Sequence, residues 1–223
     1  MNYYFSSTLF RKTLAALSGM FLLIFLFGHL AGNLQLILLS GDAAQKQFNE
    51  YAKFMTSNPV VKLLSYLTYG SILLHTLLTI FLARQAKSAR PIGYEVSSGD
   101  ANSPWSSRNM PLLGVIILVF IVVHMKSFWY EMHFGSLGND MWGNKDLYTL
   151  TVTAFKEVWY SAFYVFCMAI LAFHLKHGIE SSFQTLGLKT RKYIGCIQKI
   201  SVSIAIIIPA AFALIPIILF FQS

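Results

Sequence analysis

Five apolar runs, each long enough to cross a lipid bilayer, constrain this chain more than any other feature. They cover 14–39, 59–83, 110–134, 150–175 and 194–221. A spanning helix needs about 20 apolar residues, and a backbone inside lipid must satisfy its own hydrogen bonds. Each run is therefore expected to be a transmembrane helix. The expected fold is an all-α integral membrane bundle of five helices, a single domain over residues 1–223. Charged residues are 12% of the chain, where a soluble domain carries roughly 25%. The net charge of +8 sits at the ends of the runs and forms no basic face, so no nucleic-acid partner is expected. The first run follows Arg11-Lys12 but is too long for a signal-peptide core of about 7–15 residues, and reads as a retained helix.

The connections are short. In 40–58, Phe48, Tyr51, Phe54 and Met55 recur at helical spacing, which predicts an amphipathic helix on the membrane surface. Residues 85–109 are rich in Ser, Pro, Gly and Arg and read as an irregular loop, 135–149 as an interfacial loop, and 176–193 as a basic segment. Trp105, Trp129, Trp142 and Trp159 fall near the expected interfaces, where tryptophan anchors helices. Lys and Arg number 11 on the side of the N-terminus and the second and fourth connections, and 6 on the other. Positive charge is retained in the cytoplasm, so the N-terminus is expected inside and the C-terminus outside.

Four of the six histidines lie within spans, one in each of the first four: His29, His75, His124 and His174. Polar side chains at this depth are costly and tend to mark function. At 1.5 Å per residue, His29 lies about 25 Å beyond Lys12 and His124 about 24 Å beyond Arg108, both in the outer half. His75 lies about 14 Å before Arg84, and His174 about 25 Å beyond Glu157, both in the inner half. Two layers of two imidazoles are what two stacked six-coordinate b haems need, and such haems transfer electrons, since both axial positions are filled. The chain has no Cys-x-x-Cys-His, so a haem here would be held without thioether bonds, and Cys167 and Cys196 read as apolar filler. Gly19, Gly28 and Gly32 in the first span suit either close approach of a flat macrocycle or helix packing.

These residues carry a resemblance. Arg11-Lys12, Ser18-Gly19 and Gly28-His29-Leu30 with Asn33 resemble the first helix of the diheme cytochrome b subunits of succinate dehydrogenase and fumarate reductase. Phe48-Asn49-Glu50-Tyr51 looks like the segment before their second helix. Phe173-His174-Leu175-Lys176-His177-Gly178, followed by Ser181-Ser182-Phe183-Gln184-Thr185-Leu186-Gly187, is similar to the end of their fourth. The resemblance implies two b haems, with His29 and His124 ligating the outer one and His75 and His174 the inner one. It also implies a bacterial cytoplasmic membrane, a membrane quinone (menaquinone in most diheme members), and docking of a cytoplasmic iron–sulfur subunit that joins a flavoprotein subunit. Dicarboxylate chemistry is expected elsewhere, since the chain has no flavin or nucleotide fingerprint.

His177 lies one turn nearer the cytoplasm than His174 and suits a haem propionate better than the iron. Arg11, Lys12, Ser18, Lys176 and Lys189 are further propionate candidates. Quinone-binding candidates are Asn33, Asn49, Glu50, Trp129 and His133, with Glu50 as the proton carrier. Two other readings stay open. One is the cytochrome b anchor of a different respiratory enzyme, such as a hydrogenase or formate dehydrogenase. The other is a secondary transporter, which would usually show repeats and broken helices; here only Pro209 and Pro216 interrupt a span.

Overall fold

The computed structural model describes residues 7–89 and 104–222, and these are helical almost throughout. Helix α1 spans Thr8–Leu38, α2 Gly41–Ser57, α3 Pro59–Ser88 and α4 Trp105–Arg108. Helix α5 runs over Met110–Phe134, α6 over Leu147–Lys156, α7 over Val158–Thr185 and α8 over Ile194–Phe221. Five of them (α1, α3, α5, α7 and α8) are long and apolar enough to cross a membrane.

The ends of these helices follow from local chemistry. Ser7 caps α1 by accepting from the Phe10 amide, and Asn58 caps α3 by accepting from Val60 and Val61, with Pro59 in the first turn. Helix α7 stops at Gly187, whose φ of +74° is open to glycine at little cost. There the Leu188 amide donates to Phe183 and the Gly187 amide to Gln184, the paired bonds of a Schellman stop. The Phe183–Gly187 stretch is thus a helix terminator, and the basic segment begins as helix and becomes loop only after Thr185.

Three expectations need correction. The run over 150–175 is not one helix. Glu157 is extended, with φ −76° and ψ 118°, and separates α6 from α7, while the Ser161 hydroxyl donates to Phe155 across the break at 2.6 Å. The fourth span is therefore Val158–Thr185, and Leu150 belongs to a short helix at the bundle's edge. Nor do Pro209 and Pro216 interrupt the last span: both are buried inside a continuous α8. The loop expected over 85–109 begins as helix up to Ser88 and ends in α4; its middle lies outside the described residues.

Helix α7 is the hub. It packs on α8, α1 and α5, while α3 leans chiefly on α1 and buries only Thr68. One apolar core lies toward α2 and includes Leu30, Phe48, Phe155, Tyr164 and Leu219; a second lies toward the N-terminal ends of α1 and α8 and includes Leu23, Cys167, Leu171 and Ile179. The rim is as apolar as the interior: Leu63, Leu67, Leu73 and Leu77 of α3 are each more than half exposed. In water such a surface would aggregate; in lipid it is the solvated face.

Candidate functional site

Helices α1, α3, α5 and α7 bring the four intramembrane histidines together in two pairs. The rings of His29 and His124 lie edge-on with centroids 5.6 Å apart, and those of His75 and His174 lie 6.4 Å apart. The depth of each pair can be read along α7. His124 touches Tyr164, and His174 stands ten residues further on, about 15 Å along the helix axis. It is His174, and not the neighbouring His177, that faces His75.

A b haem at each level would be held by these imidazole pairs. Two metal–imidazole bonds of about 2 Å plus two ring radii would place the centroids about 6 Å apart; the observed separations are 5.6 and 6.4 Å, which is also the range of ordinary edge-to-face ring contacts. His75 Nδ1 lies 3.0 Å from the Ala15 carbonyl, which can only accept, so Nδ1 carries the hydrogen and Nε2 keeps the lone pair a metal needs. His124 Nδ1 is 3.1 Å from the Tyr164 hydroxyl. Asn33 donates to the His29 carbonyl at 2.8 Å and reaches His29 Nδ1 only at 3.5 Å. His174 Nδ1 is buried with no hydrogen-bond partner among the described residues. Among the described residues no three His, Cys, Asp or Glu side chains converge on one point, so the ring pairs stand alone.

The three glycines of α1 meet different surroundings. The His75 ring lies against Gly19, where a Cβ would stand 3.0 Å from Cε1. Gly28, beside His29, is exposed, and a Cβ there would meet no protein atom within 4 Å. Gly32 is a packing residue: a Cβ there would fall 2.5 Å from the Tyr51 hydroxyl, so its absence lets α2 dock on α1.

The remaining candidates separate by environment. At the N-terminal end of the bundle, Arg11 lies over the Phe81 ring at 4.4 Å, Lys189 pairs with Glu180 at 3.4 Å, Lys12 and Lys176 are exposed, and His177 is half-buried. The Ser18 hydroxyl donates to Leu14 at 2.8 Å and lies 3.4 Å from His75 Nδ1. At the other end, Trp129 donates to the Tyr69 hydroxyl at 2.7 Å and stacks on His133 at 4.7 Å. Glu50 is exposed on α2. Asn49 is fully buried and is spent on structure. Its amide donates to Asp140 and Asp146, and its carbonyl accepts from the Tyr148 amide, which ties α2 to the 139–148 connection.

Sequence reasoning missed three features. The turn Met125–Tyr130, directly after His124, is a π-helix, a form enriched at functional sites. Tyr160 and Tyr164, hydrogen-bonded at 3.0 Å, extend from His124 toward the end of α7; their i, i+4 spacing in a span that also carries His174 was the available signal. The Asn49–Asp140–Asp146 lock joins residues 91 and 97 positions apart and has no local signature. No protein-family model, no curated protein and no solved structure matches the chain.

Proposed function

We propose that this chain is the diheme cytochrome b membrane anchor of a succinate dehydrogenase or fumarate reductase, passing electrons between a cytoplasmic iron–sulfur subunit and a membrane quinone. The observation that carries the reading is the pairing of His29 with His124 and of His75 with His174, at two depths of one bundle. The quoted motifs support the family, and the fold gives several of them a physical task. Ser18 and Gly19 bed His75, Asn33 braces His29, Tyr51 fills the groove at Gly32, and Phe183–Gly187 ends α7. The unbroken α8 speaks against a secondary transporter, whose sites usually form at discontinuous helices.

Two b haems held by the ring pairs would supply one-electron carriers at two levels of the membrane. The chain's own part is to hold four neutral imidazoles in place. Ala15 fixes the hydrogen of His75 on Nδ1, and Tyr164 supports Nδ1 of His124. Orientation follows from the Lys and Arg excess at the N-terminal end, which faces the cytoplasm of a bacterial inner membrane, with the C-terminus outside. His75 and His174 then form the inner pair. Lys12, Lys176 and the half-buried His177 offer positive or hydrogen-bonding groups to propionates there, and the same face receives the iron–sulfur subunit, with the flavoprotein beyond it.

The quinone, menaquinone by the resemblance, binds at the outer end. The stacked Trp129 and His133 lie there just past His124, and Glu50 meets outside water on α2. Asn33 donates to the His29 carbonyl, and Asn49 is held in the α2 lock. Purification of the native complex in mild detergent tests the assignment. Iron–sulfur and flavoprotein subunits with succinate or fumarate activity should accompany the chain; hydrogenase or formate dehydrogenase subunits in their place would refute it.

A further inference from the structure

We infer that Tyr164, backed by Tyr160, is a positioning residue that orients His124 and strengthens it as a donor, making the two imidazole pairs electronically unequal. The inference rests on the reading of His29 and His124 as axial ligands. Tyr164 is 6% exposed, and the rings of Phe120 and Phe155 stand edge-on to it, each at 4.9 Å. A phenol hydroxyl in such a setting must find partners. It finds two: His124 Nδ1 at 3.1 Å and the Tyr160 hydroxyl at 3.0 Å. Tyr160 is equally enclosed, at 6% exposure, so the pair runs through the core and not along a wet surface.

An iron held at His124 Nε2 would set the direction of this hydrogen-bond relay. The ring's hydrogen must then sit on Nδ1, which donates to the Tyr164 oxygen. Tyr164 in turn donates its own hydrogen to the Tyr160 oxygen. Each bond polarises the next, so a Tyr164 that donates onward is a better acceptor from His124. A stronger acceptor at Nδ1 makes the imidazole a more basic ligand, which favours the oxidised metal and lowers its potential. The inner pair has no phenol pair behind it. His75 Nδ1 donates to the Ala15 carbonyl with the Ser18 hydroxyl 3.4 Å away, and His174 Nδ1 has no hydrogen-bond partner among the described residues.

The test is an optical redox titration, with low-spin ferric EPR and haem stoichiometry, on the native complex carrying Tyr164→Phe or Tyr160→Phe. His124→Ala identifies which spectral component belongs to the outer pair. With Tyr164→Phe, both haems should remain, the outer component's midpoint potential should move positive with a change in its EPR signal, and the inner component should stay put. Tyr160→Phe should move the same component the same way, but less. A Tyr164→Phe complex with both haems and unchanged potentials and spectra would overturn the inference, as would a shift confined to the inner component. Should Tyr164→Phe fail to keep its haems, Tyr160→Phe decides, since it leaves the contact with His124 in place; an unmoved outer component there is a negative answer. A wild-type complex without haem would instead remove the assignment of the histidines, so the two failures are distinct.

Discussion

The imidazole of His75 lies against the backbone of Gly19, so close that a Cβ at residue 19 would stand 3.0 Å from Cε1 and 3.3 Å from Nδ1. Glycine allows this approach without displacing the ring, and it places His75 Nδ1 at the Ala15 carbonyl one turn earlier on α1. A sequence pair that reads locally as Ser18-Gly19 thus acts on a residue 56 positions away.

The first prediction follows from that contact. Gly19→Val should push the His75 ring off Ala15, at an overpacking cost of about 1–3 kcal/mol. Haem assays of the purified variant should show loss of the inner haem with the outer one retained. Gly19→Ala, which asks His75 to give by only a few tenths of an ångström, should keep both. Equal loss of both haems in Gly19→Val would mean that the contact supports the whole bundle and not the His75 site.

A second prediction concerns the lock between α2 and the 139–148 connection. Asn49→Ala leaves Asp140, Asp146 and the Tyr148 amide each short of a partner. The Tyr148 amide then has no side-chain acceptor, at a cost of about 1–3 kcal/mol, while Asp140 and Asp146 keep their other donors. Limited proteolysis should therefore cut near α2 in the variant before the spans unfold, while both ring pairs persist. Cleavage as slow as in the wild type would contradict this.

The same lock should be sensitive to acid. Burial pushes the Asp140 carboxyl up, but hydrogen bonds from the Asn144 and Trp142 amides and the Asn49 and Asn144 side chains outweigh it and hold the group below its ordinary 3.8. Asp146 is likewise raised by burial and lowered further by bonds from Asn49, Thr149 and Gln45. A carboxyl depressed in the fold adds stability above its unfolded value, and loses it as pH falls through the lower folded value. Proteolytic resistance of α2 should hold constant from neutrality down to about pH 4 and fall below it. Loss beginning above pH 5 would point to other groups.

Much of the fold was legible in the sequence because lipid leaves so few choices. Run length and polarity suffice to mark five spans, and the distance of each histidine from a charged border anticipates which rings meet. What escaped has a physical reason in each case. The break at Glu157 is invisible to hydropathy, because α6 continues the apolar character of α7. The π turn after His124 alters hydrogen bonding without altering composition. Asn49 reads as a polar residue on an amphipathic helix, and only the returning connection reveals that it faces inward. Gly28 and Gly32 share one motif, yet one adjoins open space and the other holds Tyr51.

A fourth prediction bears on the quinone. Glu50→Gln should abolish quinone-linked turnover in the native complex while both haem spectra and assembly stay intact, because Glu50 is exposed and makes no part of the lock. Normal turnover in Glu50→Gln, with loss instead in Ser18 or Arg11 variants that keep both haems, would move the quinone to the N-terminal end.

The central claim is that four histidines in two layers hold two haems, and the most direct measurement is haem content per chain. A pyridine haemochrome assay against protein mass should give two b haems, both low-spin in the intact complex. His29→Ala or His124→Ala should remove chiefly one spectral component, and His75→Ala or His174→Ala chiefly the other. A ratio near one, a high-spin signal in the wild type, or loss of the same component from all four variants would contradict the account.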